Sequence, residues 1–182
     1  MKKIAICFLS LLMLFSFVSC GENDDTVPAG YQKASSDDHC DYILYVPDTW
    51  TVRSGSDTNF TSATVATGDK CNVSVAELEG EYGQTIPSYW EAEQEKYTAV
   101  FDTFTVVSSE EVVTVGSGES KVDGLRYVFV GDIGEGFEAK KQMQVFFIHG
   151  NSFYCFTYTA SEAHYDEHLE AVNGILANFS FK

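Results

Sequence analysis

Two histidines and a glutamate near the end of the chain have the spacing of a catalytic zinc site. His164, Glu167 and His168 form the order H-x-x-E-H, which inverted zinc peptidases use. Histidines four residues apart lie one above the other on a helix, so both can ligate one metal ion while the glutamate acts as a base. A metal-dependent hydrolase built on these three residues is therefore one hypothesis.

Two features of the neighbouring sequence weaken that hypothesis. Catalytic zinc needs a third protein ligand, which lies far downstream in peptidases of this type, yet fourteen residues follow His168. His168 also adjoins an apolar helical stripe that contains Leu169 and Val172, where a histidine is more often part of the core. We therefore predict that this helix covers a sheet and holds no metal.

Acidic residues cluster at two further places, where carboxylate oxygens could hold Ca²⁺. The clusters are Asp37, Asp38, His39 and Asp41 at the start of the folded part, and Asp132, Glu135 and Glu138 in a glycine-rich turn. Neither has the spacing of an EF-hand loop, and a solvated acidic turn explains both. The sequence leaves Ca²⁺ binding open.

The rest of the chain lacks the short motifs that mark common enzyme classes. It contains no G-x-S-x-G elbow, P-loop, dinucleotide fingerprint or paired C-x-x-C motif. Residues 116–120 have the composition of a turn rather than of a nucleophile elbow. The sequence therefore predicts no catalytic residues and no cofactor.

The first twenty residues predict export and lipidation. Two lysines precede the apolar run 4–15, and Ser19 completes a small-residue cleavage site ahead of Cys20. The run is shorter than the roughly 20 apolar residues that a spanning helix needs. Val18, Ser19 and Cys20 resemble a bacterial lipobox, in which the cysteine sulfur carries a diacylglycerol. An ordinary secretory signal with an incidental cysteine is the alternative.

These features divide the chain into three parts. Residues 1–19 are predicted to be a signal peptide, residues 20–38 a lipidated N-terminus and flexible polar tether, and residues 39–182 one folded domain. Attachment through the lipid on Cys20 predicts a location on the extracytoplasmic side of the cell membrane.

The acidic composition excludes one class of partner. The chain has 27 acidic and 11 basic residues and a formal net charge of −16, and removal of the signal peptide with its two lysines makes it more negative. Such a field repels phosphate backbones. Nucleic acid is therefore not an expected partner, whereas an envelope protein or a small ligand is.

Strand-forming segments dominate the folded part, and short turns join them. Each segment is rich in β-branched or aromatic residues. The seven segments are 41–46, 60–67, 72–78, 105–115, 125–130, 140–149 and 152–159. We predict a meandering antiparallel sheet whose near-continuous apolar strands are covered on both faces.

Two amphipathic helices can supply this cover. The first is predicted to begin at Ser88, which forms a capping box with Glu91, while Pro87 lies just outside the helix. The second spans 161–178. Their apolar stripes are Trp90, Tyr97, Phe101 and Phe104 in the first, and Tyr165, Leu169, Val172, Leu176 and Phe179 in the second. Helical spacing of this kind indicates core packing rather than a ligand groove.

Three further cysteines bear on the fold because export places them where disulfides persist. Cys40 and Cys71 each precede a predicted strand, at positions where a cross-link strains little, whereas Cys155 lies within a strand among aromatic residues. We predict a Cys40–Cys71 disulfide and a buried Cys155 thiol. The alternative is that all three are reduced core residues.

Short motifs over most of residues 42–182 resemble the PsbP-like domains, a family that includes the DcrB-type bacterial lipoproteins. The segment YVPDTW at 45–50 looks like that family's opening strand and Pro-x-x-Trp turn. A Ser-capped helix, a long hairpin, an aromatic strand pair at 146–158 and a last helix ending in NFSF at 178–181 follow in the family's order.

The resemblance implies an α+β fold: an α-β-α sandwich around a central antiparallel sheet of about six to seven strands, with helices on its faces. It also implies an accessory or binding subunit without enzymatic activity, and it carries over no catalytic residues. A membrane-anchored binding module is thus the favoured function, and the hydrolase of His164, Glu167 and His168 is the alternative. Titratable residues that converge in one cleft would favour the hydrolase, and a groove without them would favour binding.

Overall fold

A computed structural model of the chain describes residues 27–35, 38–54, 60–65, 70–78, 84–132, 134 and 138–182. The helices are α1 (Ile86–Val100), α2 (Glu162–Tyr165) and α3 (Leu169–Ala177), with 3₁₀ turns at Gly118–Ser120 and Asp166–His168. The strands are β1 (Tyr31–Lys33), β2 (Tyr42–Ile43), β3 (Tyr45–Pro47), β4 (Thr51–Ser54), β5 (Phe60–Thr64), β6 (Asn72–Leu78), β7 (Thr103–Val115), β8 (Val122–Asp132), β9 (Lys140–His149), β10 (Ser152–Ser161) and β11 (Ser180–Phe181).

Seven of these strands form one antiparallel sheet in the order β4-β5-β6-β10-β9-β8-β7. Two small pairs, β1 with β3 and β2 with β11, lie outside it. Strands β7 to β10 follow one another along the chain and are neighbours in the sheet. The short turns that join them allow only antiparallel hairpins. The predicted α+β fold with a central antiparallel sheet is confirmed.

Side chains of the central strands alternate between two buried faces of the sheet. On β10, Phe156 and Tyr158 point into one core, while Phe153 and Cys155 point into the other. Successive residues of a strand face opposite sides, so a strand that is buried on both sides must be apolar at nearly every position. This accounts for the continuous apolar runs in the sequence.

The first face, here named the α3 face, is covered by α3 and by the N-terminal strands. Phe179 is fully buried there, and its ring stacks on Tyr42 at 5.3 Å and meets Phe147 edge-on at 5.2 Å. Val172 and Leu176 of α3 belong to the same core. The predicted apolar stripe of the second helix is therefore confirmed as core.

The second face, here named the α1 face, is covered by α1. Trp90 stacks on Tyr127 of β8 with ring centroids 4.5 Å apart, and Tyr97 stacks on Phe129 at 5.1 Å. Phe101, just after the helix, packs against the same cluster. Helices on both faces make the molecule an α-β-α sandwich.

The start of α1 differs from the prediction. Its N-cap is Thr85, whose Oγ1 accepts a hydrogen bond from the backbone N–H of Ser88, while the Ser88 hydroxyl accepts one from the backbone N–H of Thr85. Ser88 is thus the third helical residue of the box, not its cap, and Glu91 takes no part in it. Pro87 lies inside the first turn, where a missing N–H costs nothing.

The predicted helix 161–178 is also interrupted. The 3₁₀ turn at Asp166–His168 separates α2 from α3, and His168 has φ −110° and ψ 1° as the residue before α3. A 3₁₀ turn has three residues per turn rather than 3.6, so it rotates the side chains on either side of it relative to a continuous helix.

The domain begins earlier than predicted. Strand β1 pairs with β3, and Ala34 and Ser35 are buried, so the predicted tether at 20–38 includes a folded part from Tyr31 to Ser35. The predicted signal peptide at 1–19 and Cys20 lie outside the described residues. Among the helices that the structure describes, none is both long and apolar enough to cross a membrane.

Strand β7 is one edge of the sheet and is irregular in its middle. Its register with β8 shifts between Val106 and Ser108 and again between Ser108 and Glu111. Glu110 lies within the second shift and has φ +57°, which places it in the left-handed region that non-glycine residues rarely adopt. Such shifts are β-bulges, which bend and twist a strand.

Candidate functional site

The side chains of the H-x-x-E-H motif, the alternative zinc hydrolase site, contact different partners in the structure. His164 Nδ1 lies 2.9 Å from Glu167 Oε2, so these two side chains pair with each other. His168, the last residue of the 3₁₀ turn, meets the Trp50 ring edge-on at 6.2 Å. Among the described residues, no group of three or more His, Cys, Asp or Glu side chains could hold a metal ion.

The two acidic clusters likewise engage protein groups where the structure describes them. Asp41 Oδ2 accepts a hydrogen bond from the Tyr154 hydroxyl at 2.5 Å. Asp132 Oδ1 accepts one from the Gly134 N–H at 2.9 Å, which closes a tight turn. The Glu138 carboxylate pairs with the Lys140 ammonium at 3.0 Å. Asp37 and Glu135 lie outside the described residues.

The structure does not contain the predicted Cys40–Cys71 disulfide. Cys40, Cys71 and Cys155 are all buried thiols. Cys40 Sγ lies 3.6 Å from Thr61 Oγ1, whereas the Cys71 carbonyl accepts a hydrogen bond from Val65 N–H. Thr61 and Val65 are four residues apart on extended chain, which is about 13 Å. The Cys40 sulfur and the Cys71 backbone therefore contact opposite ends of this stretch.

A cleft of about 190 Å³ opens between α1 and the sheet, and we name it the α1 cleft. Helix α1, strand β6, strand β9 and strand β10 all contribute to its walls. The lining residues are Ser74, Ala76, Leu78, Tyr89, Glu93, Tyr97, Gln144, Phe146, Cys155 and Thr157.

The position of α1 explains why the cleft exists. Its aromatic side chains contact rings on β8, on β9 and at the start of β10, such as Phe129, Phe146 and Phe153. Strand β6 lies one position further along the sheet, so Ser74 and Ala76 are only partly covered. The helix therefore overhangs the α1 face and leaves an opening beside it.

A row of polar side chains crosses the α1 face beneath this opening. Directly paired residues on neighbouring antiparallel strands project from the same face. The row consists of Ser62, Ser74, Thr157, Gln144 and Tyr127, each paired with the next from β5 to β8. The cleft therefore has a polar floor inside an otherwise aromatic layer.

Gln144 is the buried polar residue at the centre of this row, and it is 6% exposed. Its Nε2 donates a hydrogen bond to the Tyr97 hydroxyl at 2.8 Å. Its Oε1 is buried and has no hydrogen-bond partner among the described residues. A buried acceptor without a donor costs free energy, and native proteins rarely leave one in place without a reason.

Sequence reasoning missed the α1 cleft because its residues come from four separate elements. One signal was present in the sequence: Gln144 is a polar residue between the apolar residues Met143 and Val145 of the strand Lys140–His149. Tyr97 was predicted as a core residue, and it packs on Phe129 as expected while its hydroxyl reaches the cleft.

The thiol and phenol groups of the cleft are held in their neutral forms. Burial raises the pKa of Cys155 to about 12, although the nearby Thr157 hydroxyl at 3.4 Å opposes this shift. Burial likewise raises the pKa of Tyr97 to about 12, against the opposing hydrogen bond from Gln144. A nucleophilic cysteine needs a lowered pKa, so Cys155 has the properties of a structural thiol.

Glu93 supplies a carboxylate to the cleft lining. Its side chain is 17% exposed, and it pairs at 2.5 Å with Lys96, which is 69% exposed and lies on the same helix. Tyr89 stands beside it, with its ring 5.5 Å from the ring of Phe146. The lining thus combines a partly buried carboxylate with aromatic surface and hydroxyl groups.

Solved structures of other proteins share this architecture. No protein-family model and no curated protein matches the sequence. The solution structure of CyanoP, the cyanobacterial PsbP of Synechocystis sp. PCC 6803, matches with a TM-score of 0.59 and 13% identity, over 91% of this chain and 99% of CyanoP. The fold is PsbP-like.

Two other solved structures share the PsbP-like fold of this chain. PA94 of Pseudomonas aeruginosa, a protein of unknown function, has a TM-score of 0.52 at 12% identity over 79% of this chain and 92% of its own. The Ran-binding protein Mog1p of Saccharomyces cerevisiae has a TM-score of 0.52 at 8% identity over 81% and 84%. The resemblance that the sequence indicated is confirmed at the level of fold.

Proposed function

We propose that this PsbP-like domain is a non-enzymatic binding or accessory module that receives its ligand in the α1 cleft. The observation that carries the proposal is Gln144 Oε1, a buried acceptor without a partner among the described residues, on the floor of an open cleft. A ligand with a hydrogen-bond donor would satisfy it. The match to CyanoP and Mog1p supports a protein that acts by association, because the latter is described as Ran-binding.

The size of the cleft indicates what it can hold. Pockets for drug-sized molecules measure roughly 300 to 1,000 Å³. The α1 cleft, at about 190 Å³, is smaller and suits a small molecule or one side chain of a partner protein. The chemistry of its lining also favours binding, since Cys155 and Tyr97 are neutral at physiological pH and therefore poor nucleophiles.

A cleft-filling substitution tests this proposal. Ser74→Phe places a ring in the cleft, and Thr98→Phe adds the same ring to the outer surface of α1 as a matched control. We expect the immobilised wild-type protein and Thr98→Phe to retain the same component of a cell-envelope extract, and Ser74→Phe to lose it, as measured by mass spectrometry of the eluates. Identical eluates from all three proteins would contradict a role for the cleft.

We further propose that the domain is held at the extracytoplasmic face of the cell membrane by a lipid on Cys20, after removal of residues 1–19. A single acyl chain gives only marginal attachment, whereas a diacylglycerol supplies two chains and stable anchoring. The sequence around Cys20 supports this proposal, and an attached location would present the α1 cleft to envelope components.

Metabolic labelling with palmitate tests the anchor. Whole cells should incorporate the label into the wild-type protein and into a Cys7→Ala variant, whose substitution lies within the predicted signal peptide. Cys20→Ala should lose the label, because no other site is predicted to carry the lipid. Persistent labelling of Cys20→Ala would overturn the assignment.

A further inference from the structure

The geometry points to a compact organic cation as the ligand of the α1 cleft: a primary ammonium group on a short alkyl chain. This inference rests on the proposed function, because it names the class of ligand for the same site. The ammonium group could belong to a free amine or to a lysine side chain of a partner protein. The chemistry that recognises it is the same in both cases.

Gln144 contributes an unsatisfied hydrogen-bond acceptor to the α1 cleft. Gln144 Nε2 donates a hydrogen bond to the Tyr97 hydroxyl, and the acceptor Oε1 is the buried atom of this amide that has no partner among the described residues. An acceptor is satisfied only by a donor, and an ammonium group carries three N–H donors and no acceptor. The oxygens of a carboxylate or phosphate ligand accept hydrogen bonds and could not donate one to Gln144 Oε1.

The charge of the cleft lining also favours a cation. Glu93 brings the carboxylate into the cleft, and its ion-pair partner Lys96 is mostly exposed to solvent on the outside of the helix. An ion pair with an exposed lysine contributes little because water screens it. A ligand ammonium group inside the cleft, where water is partly excluded, therefore competes with Lys96 on favourable terms. The net charge of −16 also raises the local concentration of cations.

The apolar part of the lining suits an alkyl chain attached to the cation. The rings of Tyr89 and Phe146 lie 5.5 Å apart on the cleft wall, and Ala76 and Leu78 add aliphatic surface. Aromatic faces attract cations, and a short alkyl chain gains from contact with apolar surface. The small volume of the cleft excludes bulky cations. A slender alkylammonium can contact the Gln144 acceptor, the Glu93 carboxylate and the aromatic rings at once.

Titration with n-butylammonium chloride, followed by ¹⁵N NMR of the purified full-length protein, tests the inference. We expect the side-chain amide of Gln144 and the backbone amides of Ala76 and Thr157 to shift with saturation. The uncharged isostere n-butanol should bind at least about tenfold more weakly, because it lacks the charged hydrogen bonds to the carboxylate. Glu93→Gln should weaken n-butylammonium by a similar factor, while the exposed control Glu91→Gln should not.

A second probe distinguishes the two sources of the ammonium group. Nα-acetyl-lysine methylamide presents the same group on a peptide-like backbone. If it binds more tightly than n-butylammonium, a partner's lysine side chain is supported, and if it binds no more tightly, a free amine is supported. Both results uphold the cation class.

Two results would overturn the inference, and they differ in what they imply for the cleft. Equal binding of n-butanol and n-butylammonium, or an unchanged affinity in Glu93→Gln, would mean that the cleft binds a ligand but does not select a cation. Failure of both amine probes, while Ser74→Phe still loses an envelope component, would show that the ligand belongs to another class. If Ser74→Phe loses nothing either, the proposed function itself fails.

Discussion

Replacing Trp90 with alanine is expected to lower the free energy of unfolding by about 3 to 5 kcal/mol, the range for removal of a large buried aromatic side chain. Trp90 is 5% exposed and stacks on Tyr127. The structure describes all of α1, and Trp90 is its one buried residue. The substitution therefore removes the main attachment of the helix to the sheet as well as a part of the core. Urea unfolding followed by circular dichroism measures the loss.

The matched control for Trp90→Ala is Glu95→Ala on the exposed side of the same helix. We expect the control to change the free energy of unfolding by no more than about 0.5 kcal/mol, as surface substitutions usually do. Amide hydrogen exchange should become faster throughout α1 in Trp90→Ala and stay unchanged in the control. A loss below about 1 kcal/mol in Trp90→Ala would contradict the role assigned to this side chain.

Gly116→Ala is expected to be the second strongly destabilising change, with a cost above about 2 kcal/mol. Gly116 has φ +80°, which is unfavourable for any residue with a Cβ. A Cβ there would also lie 2.7 Å from the Ser120 carbonyl oxygen and 2.8 Å from the Phe179 carbonyl oxygen. Both are backbone atoms, so relief requires movement of the chain where β7 ends against the residues after α3.

Gly118 provides the control for Gly116, two residues further along the same turn. It too has a positive φ, +57°, but a Cβ at Gly118 would meet no atom within 4 Å. Gly118→Ala should therefore cost only the backbone strain, roughly 1 to 2 kcal/mol. The difference between the midpoints of thermal unfolding of the two variants reports the steric clash, and equal midpoints would rule the clash out.

Where a strand is long and bounded by turn residues, the sequence was enough to predict it. The bounds of β6 and β9 agree with the prediction, because both segments contain several β-branched or aromatic residues and lie between polar or glycine-containing turns. The short strands β1, β4 and β11 were missed. They are two to four residues long, too short for a pattern of their own, and β11 also depends on a partner, β2, that is distant in sequence.

Helix ends and site geometry were predicted less well, for a related reason. Thr85 and Ser88 are both good capping residues, and only the backbone conformation shows that Thr85 is the cap while Ser88 completes the box. Metal binding by the H-x-x-E-H motif requires a continuous helix, and the 3₁₀ turn before α3 interrupts the helix there. The α1 cleft depends on where α1 sits across four strands, which is a property of packing rather than of spacing.

The irregular middle of β7 has a consequence for self-association. An edge strand presents unpaired N–H and C=O groups that can template the addition of a strand from another copy. In β7 the shifts around Ser108 and Glu110 leave two short regular stretches on either side of a bulge. A strand from a second copy could not pair in one register with both regular stretches of β7, and it would meet the Glu110 carboxylate between them. The bulge therefore opposes the addition of a strand from another copy at the β7 edge, even though Val107 and Val112 are exposed along this strand.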